Sequence, residues 1–381
     1  MILFIGHEAS LTGAPVLLLN TIKQIKAKTN WEIEVILRKG GDLLPDYQAV
    51  AKTQVWQLPE FGNPSFLWKI KNKLFKNFAK KRKTYINQFA NKNVQLIFSS
   101  TCTNGELLEQ LSYLKCPIVA HVHELETVIQ MFNTNNLVDQ SLNLCAKIFT
   151  GSKAVQENLI ENHGISRKKT ELIYSATPTE IDKNLLNLDV RKKLNIAETD
   201  FLAVACGTLE NRKGYDLFIQ VAYEILHRQK IKNIHFVWVG STSYQPILYQ
   251  IDKELKLMQL TDYVHFIGKE KVTPYLKSMD LMLMTSREDP FPLVNLEAGM
   301  LKKTVICFEN SGGTPELLAE NCGFTVPYLN ILDMANKIIE LKENPALLQK
   351  TGENLYQKVQ KNFTIDHISD QIIDQIKKII K

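Results

Sequence analysis

The chain alternates short unbroken apolar runs with longer segments whose apolar residues recur every three or four positions. In the first half the runs fall at residues 2–6, 32–37, 54–58, 94–99, 117–122, 147–151 and 171–174. Runs of this length, apolar on both faces, predict strands of a parallel sheet covered on each side by the intervening helices. A second alternation begins afresh, with runs at 201–206, 235–240, 264–268, 281–285, 304–308 and 324–326. Two doubly wound α/β domains in tandem follow, placed at 1–180 and 181–363. The seam is expected near 176–200, where Thr177-Pro178-Thr179 interrupts the pattern. The last segment, 364–381, sets Ile365, Ile368, Ile372, Ile376 and Ile379 at helical spacing, with Lys377 and Lys378 at its basic end. Ligands of open parallel sheets bind outside the carboxyl ends of the strands, so functional motifs are expected just after strands.

Composition narrows the setting. The chain has 381 residues, 45% hydrophobic and 23% charged, as soluble globular proteins do. It contains no stretch of about twenty apolar residues, and its start reads as a first strand rather than a signal peptide, so a cytoplasmic location is expected. Six cysteines are scattered without a Cys-x-x-Cys pair and read as buried thiols, while eight histidines show no metal-ligand spacing. The net charge of +6 is unevenly spread: residues 61–105 hold no Asp or Glu but carry Lys80, Lys81, Arg82, Lys83 and further lysines. Within 66–89, Leu67, Ile70, Leu74 and Phe78 share one helical face, with Trp68, Phe75 and Tyr85 nearby. That pattern suits an interfacial helix attracted to anionic lipid, and equally a solvated helix packed on the first domain. A phosphate-rich acceptor is a third explanation. No nucleic-acid recognition motif accompanies the charge.

The candidate chemistry lies where the sheet topology puts it. After the run at 281–284 comes Ser286-Arg287-Glu288-Asp289-Pro290-Phe291-Pro292-Leu293-Val294-Asn295-Leu296-Glu297-Ala298-Gly299, a loop and helix start with carboxylates on either side of an apolar wedge. Backbone N–H groups at a helix start favour an anion, whereas carboxylates accept hydrogen bonds from vicinal hydroxyls. Phosphate and hydroxyls together describe a sugar nucleotide. Directly after the strand at 201–206, Gly207-Thr208-Leu209-Glu210-Asn211-Arg212-Lys213-Gly214 offers close backbone approach and two cations for a diphosphate. Ser311-Gly312-Gly313-Thr314-Pro315-Glu316 forms another anion-friendly helix start, and Gly13 opens the first helix after a strand. His123 follows the strand at 117–122, and Asp280 reads as a structural cap. No Asp-x-Asp occurs, so a carboxylate-held metal has no candidate and none is expected.

These motifs resemble those of the retaining GT-B glycosyltransferases of the large group 1 (family 4) class, over nearly the whole chain. Asp289 and Glu297 match the acidic-x7-acidic signature, with Asp289 standing where the family usually has Glu and Glu288 just before it. Lys213 falls in the lysine register of the G-R-x4-K-G element, Thr208 takes the usual arginine position, and Arg212 is placed to substitute for it. The Gly312-Gly313 pair is similar to a G-G-x-x-E element, the Gly6–Gly13 turn to the family's glycine loop, and His123 to its H-D-L turn. The implied fold is GT-B, two Rossmann-like parallel-sheet domains facing across a cleft, with the terminal helix returning to the first. The implied reaction moves a sugar from a UDP-, GDP- or ADP-sugar to an acceptor hydroxyl with retention, by same-face attack and without metal. On this resemblance Glu297 holds the ribose, and Asp289 or Glu288 the donor-sugar hydroxyls. Arg212, Lys213, Thr208 and Gly313 serve the diphosphate, and the Leu293-Val294 backbone faces the donor. Gly13 and His123 lie beside donor and acceptor. A glycan or lipid-linked acceptor in envelope polysaccharide, lipopolysaccharide or glycolipid synthesis is expected. A sugar-nucleotide epimerase of the same fold and a catalytically silent binding scaffold are the alternatives.

Overall fold

A computed structural model describes residues 1–56, 86–181 and 187–381; the basic run 66–85 lies outside the described residues. The chain forms two compact units. The first comprises Met1–Gly151, Val155–Ile173 and Ser369–Lys381, the second Ser152–Ala154 and Tyr174–Ile368.

In the first unit, seven parallel strands are β1 (Ile2–Gly6), β2 (Ile33–Leu37), β3 (Lys52–Val55), β4 (Leu96–Ser100), β5 (Ile118–Val122), β6 (Lys147–Thr150) and β7 (Thr170–Leu172). Their order is β3-β2-β1-β4-β5-β6-β7. Every apolar run of the first half forms a strand. The third starts at Lys52 rather than 54, because an edge strand needs no continuous apolar run and Lys52 pairs with Glu34 of β2 across the ladder. Phe4, Phe98 and Phe149 pack in tilted and edge-on contacts, with ring centroids 5.1 and 6.0 Å apart. The end of the helix Ile365–Ile379 also belongs to this unit: Ile372 and Ile376 are fully buried, Lys28 pairs with Asp370 at 2.7 Å, and Gln375 donates to Glu171 at 3.2 Å.

In the second unit, six parallel strands are β8 (Phe201–Cys206), β9 (Ile234–Val239), β10 (Val264–Gly268), β11 (Leu281–Met284), β12 (Thr304–Phe308) and β13 (Phe324–Val326). Their order is β10-β9-β8-β11-β12-β13. β8 and β11 are buried along their whole length because helices cover both faces. One apolar layer holds Phe218, Phe236 and Trp238, the other Tyr275, Met282 and Leu296. Asp280, at the start of β11, accepts from the Leu202 N–H at 2.8 Å and from Arg191 at 2.9 Å, a structural tie between neighbouring strands. Cys102, Cys145, Cys206, Cys307 and Cys322 are buried free thiols and Cys116 is half-buried. Among the described residues no helix is long and apolar enough to cross a membrane.

Both strand orders reverse direction once, at β1/β4 and at β8/β11. At such a switch point the crossovers leave to opposite sides and open a crevice above the strand ends. The loops after β8 and β11 are therefore neighbours by topology alone.

Two glycines let helices approach beneath the β11 loop. A Cβ on Gly299 would press on Leu355 and Val359, and one on Gly352 would overlap the Lys302 carbonyl. Gly352 sits inside the helix Pro345–Asn362, where alanine is ordinarily better by about 1 kcal/mol. Here the clash outweighs propensity: Gly352→Ala is expected to destabilise the second unit by about 2 kcal/mol or more in denaturant unfolding, and a neutral or stabilising result would contradict the packing.

Candidate functional site

The loops after β8 and β11 are tied together before any side chain reaches outward. Gly214 has φ +71°, the left-handed region, and a Cβ there would overlap the Thr285 carbonyl. The Thr285 hydroxyl in turn donates to the Gly214 carbonyl at 2.9 Å. The Arg212 carbonyl accepts from the N–H groups of Arg287 (2.8 Å) and Glu288 (3.3 Å). Arg287 forks onto both Asp216 oxygens at 2.8 and 2.7 Å. Burial works against ionisation of Asp216, but the hydrogen bonds and charge of Arg287 outweigh it and hold the carboxyl below its ordinary value.

On this frame sit the residues expected to bind a ligand. Asp289 is 3% exposed, and its backbone is fixed from both sides: its N–H donates to Ser311 O at 2.8 Å and its carbonyl accepts from the Gly313 N–H at 3.0 Å. Its carboxylate receives the Lys213 ammonium, with the Ser286 hydroxyl at 3.5 Å. The Lys213 stem lies across Gly207, where a Cβ would come within 3.3 Å of it. Arg212 donates to the Glu288 carbonyl at 3.0 Å and pairs with Glu210 at 3.4 Å, so in this structure its guanidinium serves the loop. Glu288 is half-buried and Thr208 exposed.

Glu297 lies in the helix Leu293–Met300, which begins after Pro292 without a side-chain cap and without an acid in its first turn. The first-turn N–H groups of Leu293 and Val294 are therefore open to an acceptor. No hydrogen-bond donor among the described residues meets the Glu297 carboxyl, and burial pushes its pKa up to about 7. Burial pushes up the pKa of the Cys206 thiol at the end of β8, the Glu297 carboxylate adds to this and Lys213 opposes it, so both charged groups lie near that residue. Gly313 precedes the helix Thr314–Leu318, and a Cβ on it would overlap the Pro290 carbonyl. Buried Asn295 donates to Thr314 Oγ1 at 3.0 Å, joining the two helix starts. Asp289, Lys213, Glu297, Leu293, Val294 and Gly313 are thus gathered on one strand-end surface.

The first unit carries its own constellation. His123 follows β5, its ring centroid 4.0 Å from that of His121. Burial, reinforced by His121 and His7, pushes the His123 pKa well below the ordinary value, so its imidazole is neutral near pH 7. Glu124 gathers the loops after β4 and β5, accepting from the N–H groups of Cys102 (3.2 Å) and His123 (3.0 Å). Gly13 is exposed at the start of the helix Gly13–Lys28, which lacks a side-chain cap. Sequence reasoning missed the Arg287–Asp216 fork, whose partners lie 71 positions apart with no local signal. It also missed Glu316 as a half-buried acceptor of the Lys153 N–H (3.0 Å) and the Tyr174 hydroxyl (2.8 Å).

Residues 187–358, less than half of the chain, match the sequence family described as "Glycosyl transferases group 1". An uncharacterized glycosyltransferase of Methanocaldococcus jannaschii is 24% identical over 176 residues, 45% of this chain and 44% of that protein. The O-antigen biosynthesis glycosyltransferase WclY of Escherichia coli is 28% identical over 138 residues, 36% of this chain and 37% of that protein. The chain thus spans under half the length of these curated relatives. The crystal structure of Anabaena HepE in complex with UDP-glucose superposes with a TM-score of 0.79 at 19% identity, covering 99% of each chain. Two Rossmann-like parallel-sheet units, matched over this length, make the fold GT-B.

The unpartnered Glu297 carboxyl has a thermodynamic signature. With a folded pKa of about 7 against about 4.3 unfolded, protonation favours the folded state. The stability it contributes is full below the unfolded value and is lost as pH rises through 7. Glu297→Gln is therefore expected to leave unfolding free energy unchanged at about pH 4 and to raise it by about 2–3 kcal/mol at about pH 8.5. Equal effects at both pH values would show that the carboxyl is not desolvated.

Proposed function

We propose that this chain is a glycosyltransferase that binds a nucleoside diphosphate sugar on its second unit and transfers the sugar to an acceptor hydroxyl with retention of configuration. The observation that carries the reading is the convergence, at the β8/β11 switch point, of Lys213, Asp289, Glu297 and the open helix start at Leu293-Val294. These lie within the segment that matches the group 1 glycosyltransferases. Cation and free N–H groups suit a diphosphate, and carboxylates suit ribose and sugar hydroxyls.

In this reading Glu297 accepts from the ribose hydroxyls, with no donor among the described residues competing for its oxygens. Lys213 and the Leu293 and Val294 N–H groups receive the diphosphate, with Gly313 keeping the neighbouring backbone close. Asp289 or Glu288 faces the donor sugar, while Arg212 and Thr208 shape the loop beside the phosphates. The C1–O bond to phosphate breaks with its electrons passing to the phosphate oxygen, and the acceptor oxygen bonds to C1 on the same face. The acceptor proton goes to the departing phosphate. Preorganised cation and helix N–H groups stabilise the charge that grows on that leaving group. Neutral His123 in the first unit serves as a hydrogen-bonding group for a hydroxyl substrate. The O-antigen relative supports a glycan acceptor in surface polysaccharide synthesis. The basic 66–89 segment supports a site of action beside anionic lipid.

The test is calorimetric titration of UDP, GDP and ADP and their glucose conjugates into wild type and Glu297→Ala. One nucleotide is expected to bind, and the substitution is expected to weaken it about tenfold or more, the effect of deleting a charged hydrogen-bond acceptor. A folded protein that binds none of these would overturn the reading. Trapping of a covalent glycosyl-enzyme on Asp289 would overturn same-face transfer.

A further inference from the structure

The Lys213–Asp289 ion pair joins a movable cation to an immovable anion. Asp289 cannot follow its partner: its N–H and carbonyl are bound to Ser311 and Gly313, and its side chain is 5% exposed. Lys213 ends a flexible four-carbon stem laid over Gly207, and its side chain is 15% exposed. Arg212 and Arg287, the other cations of these loops, are engaged with Glu288 and Glu210 and with Asp216. Among the described residues the Asp289 carboxylate has, apart from Lys213, only the 3.5 Å contact with the Ser286 hydroxyl. If the ammonium swings to a phosphate, a buried carboxylate is left nearly bare, and an uncompensated buried charge is strongly unfavourable.

We propose that this pair is a displaceable lock that makes the site favour an intact sugar nucleotide over the free nucleoside diphosphate. The inference rests on the donor-site reading above and adds a rule of selection to it. A nucleoside diphosphate alone draws Lys213 away and offers Asp289 nothing. A sugar nucleotide draws Lys213 to its phosphates and supplies sugar hydroxyls that donate to the vacated carboxylate. After transfer the sugar is gone, Asp289 is bare again, and the return of Lys213 competes with the product diphosphate. Asp289 thereby promotes product release as well as donor recognition, and it sets the position of Lys213 when the site is empty.

The consequence runs against the usual effect of deleting a binding residue. Wild type, Asp289→Asn, Lys213→Met and the double variant are titrated with UDP, GDP and ADP, and with the parent nucleoside of whichever binds. Asp289→Asn is expected to bind the diphosphate roughly three- to tenfold tighter, because Lys213 no longer has to leave a partner. Nucleoside affinity is expected to stay unchanged, and in the Lys213→Met background the Asn substitution is expected to have no effect on the diphosphate. Asp289→Ser serves if Asn does not fold. Unchanged or weaker diphosphate binding by the Asp289 variants overturns the lock, as does a gain that survives without Lys213. Wild type that binds no nucleotide overturns the donor-site reading and the lock with it. Wild type that binds while the variants show no gain overturns the lock alone.

Discussion

The second unit depends on two loops from adjacent parallel strands being bound directly to each other. The Arg212 carbonyl holds the Arg287 and Glu288 N–H groups, Gly214 interlocks with Thr285, and Arg287 closes the join on Asp216. A switch point provides a crevice but not a floor, since the flanking helices leave on opposite sides. These bonds supply the floor from backbone, so no bulky side chain has to cover the strand ends. Positive φ at Gly214 is the condition that lets the two chains come so close.

On that floor the acidic groups meet different fates, set by burial and by partners together. Asp216 is held ionised by a two-pronged guanidinium. Asp289 is deeper and has one ammonium that can leave. Glu297 meets no donor among the described residues, and burial pushes its pKa up to about 7. In the first unit burial lowers the His123 pKa and raises that of Glu124, although the Glu124 carboxyl accepts from the Cys102 and His123 N–H groups.

The sheet was legible in the sequence because strands covered on both faces must be apolar at every position, and runs such as Phe201–Cys206 have no other plausible home. The edge strand Lys52–Val55 was placed two residues late for the converse reason: one open side relaxes that demand. The position of the candidate loops just after β8 and β11 was legible too, since it follows from the strand ends. The pairing within those loops was not. Nothing in the order Ser286-Arg287-Glu288-Asp289 tells that Arg287 turns back to Asp216, or that Arg212 serves a carbonyl while Lys213 meets the Asp289 carboxylate. Such choices are settled by a few ångströms of backbone approach, which hydrophobic periodicity does not encode. Glu316 was quoted only as the last letter of a motif, yet it accepts hydrogen bonds from Lys153, Ala154 and Tyr174, far from it in the chain.

The division of the C-terminal helix between the units bears on biosynthesis. Ser369–Lys381 packs with a unit whose other residues end at Ile173, so nearly two hundred residues of the second unit intervene. During translation the first unit has all seven strands in hand long before Ile372 and Ile376, both fully buried in the finished fold, have left the ribosome. Domains commonly fold in the order of synthesis. Here the first to be made is among the last to be finished, and until the helix arrives the surface it will cover stays open to chaperones and to other nascent chains.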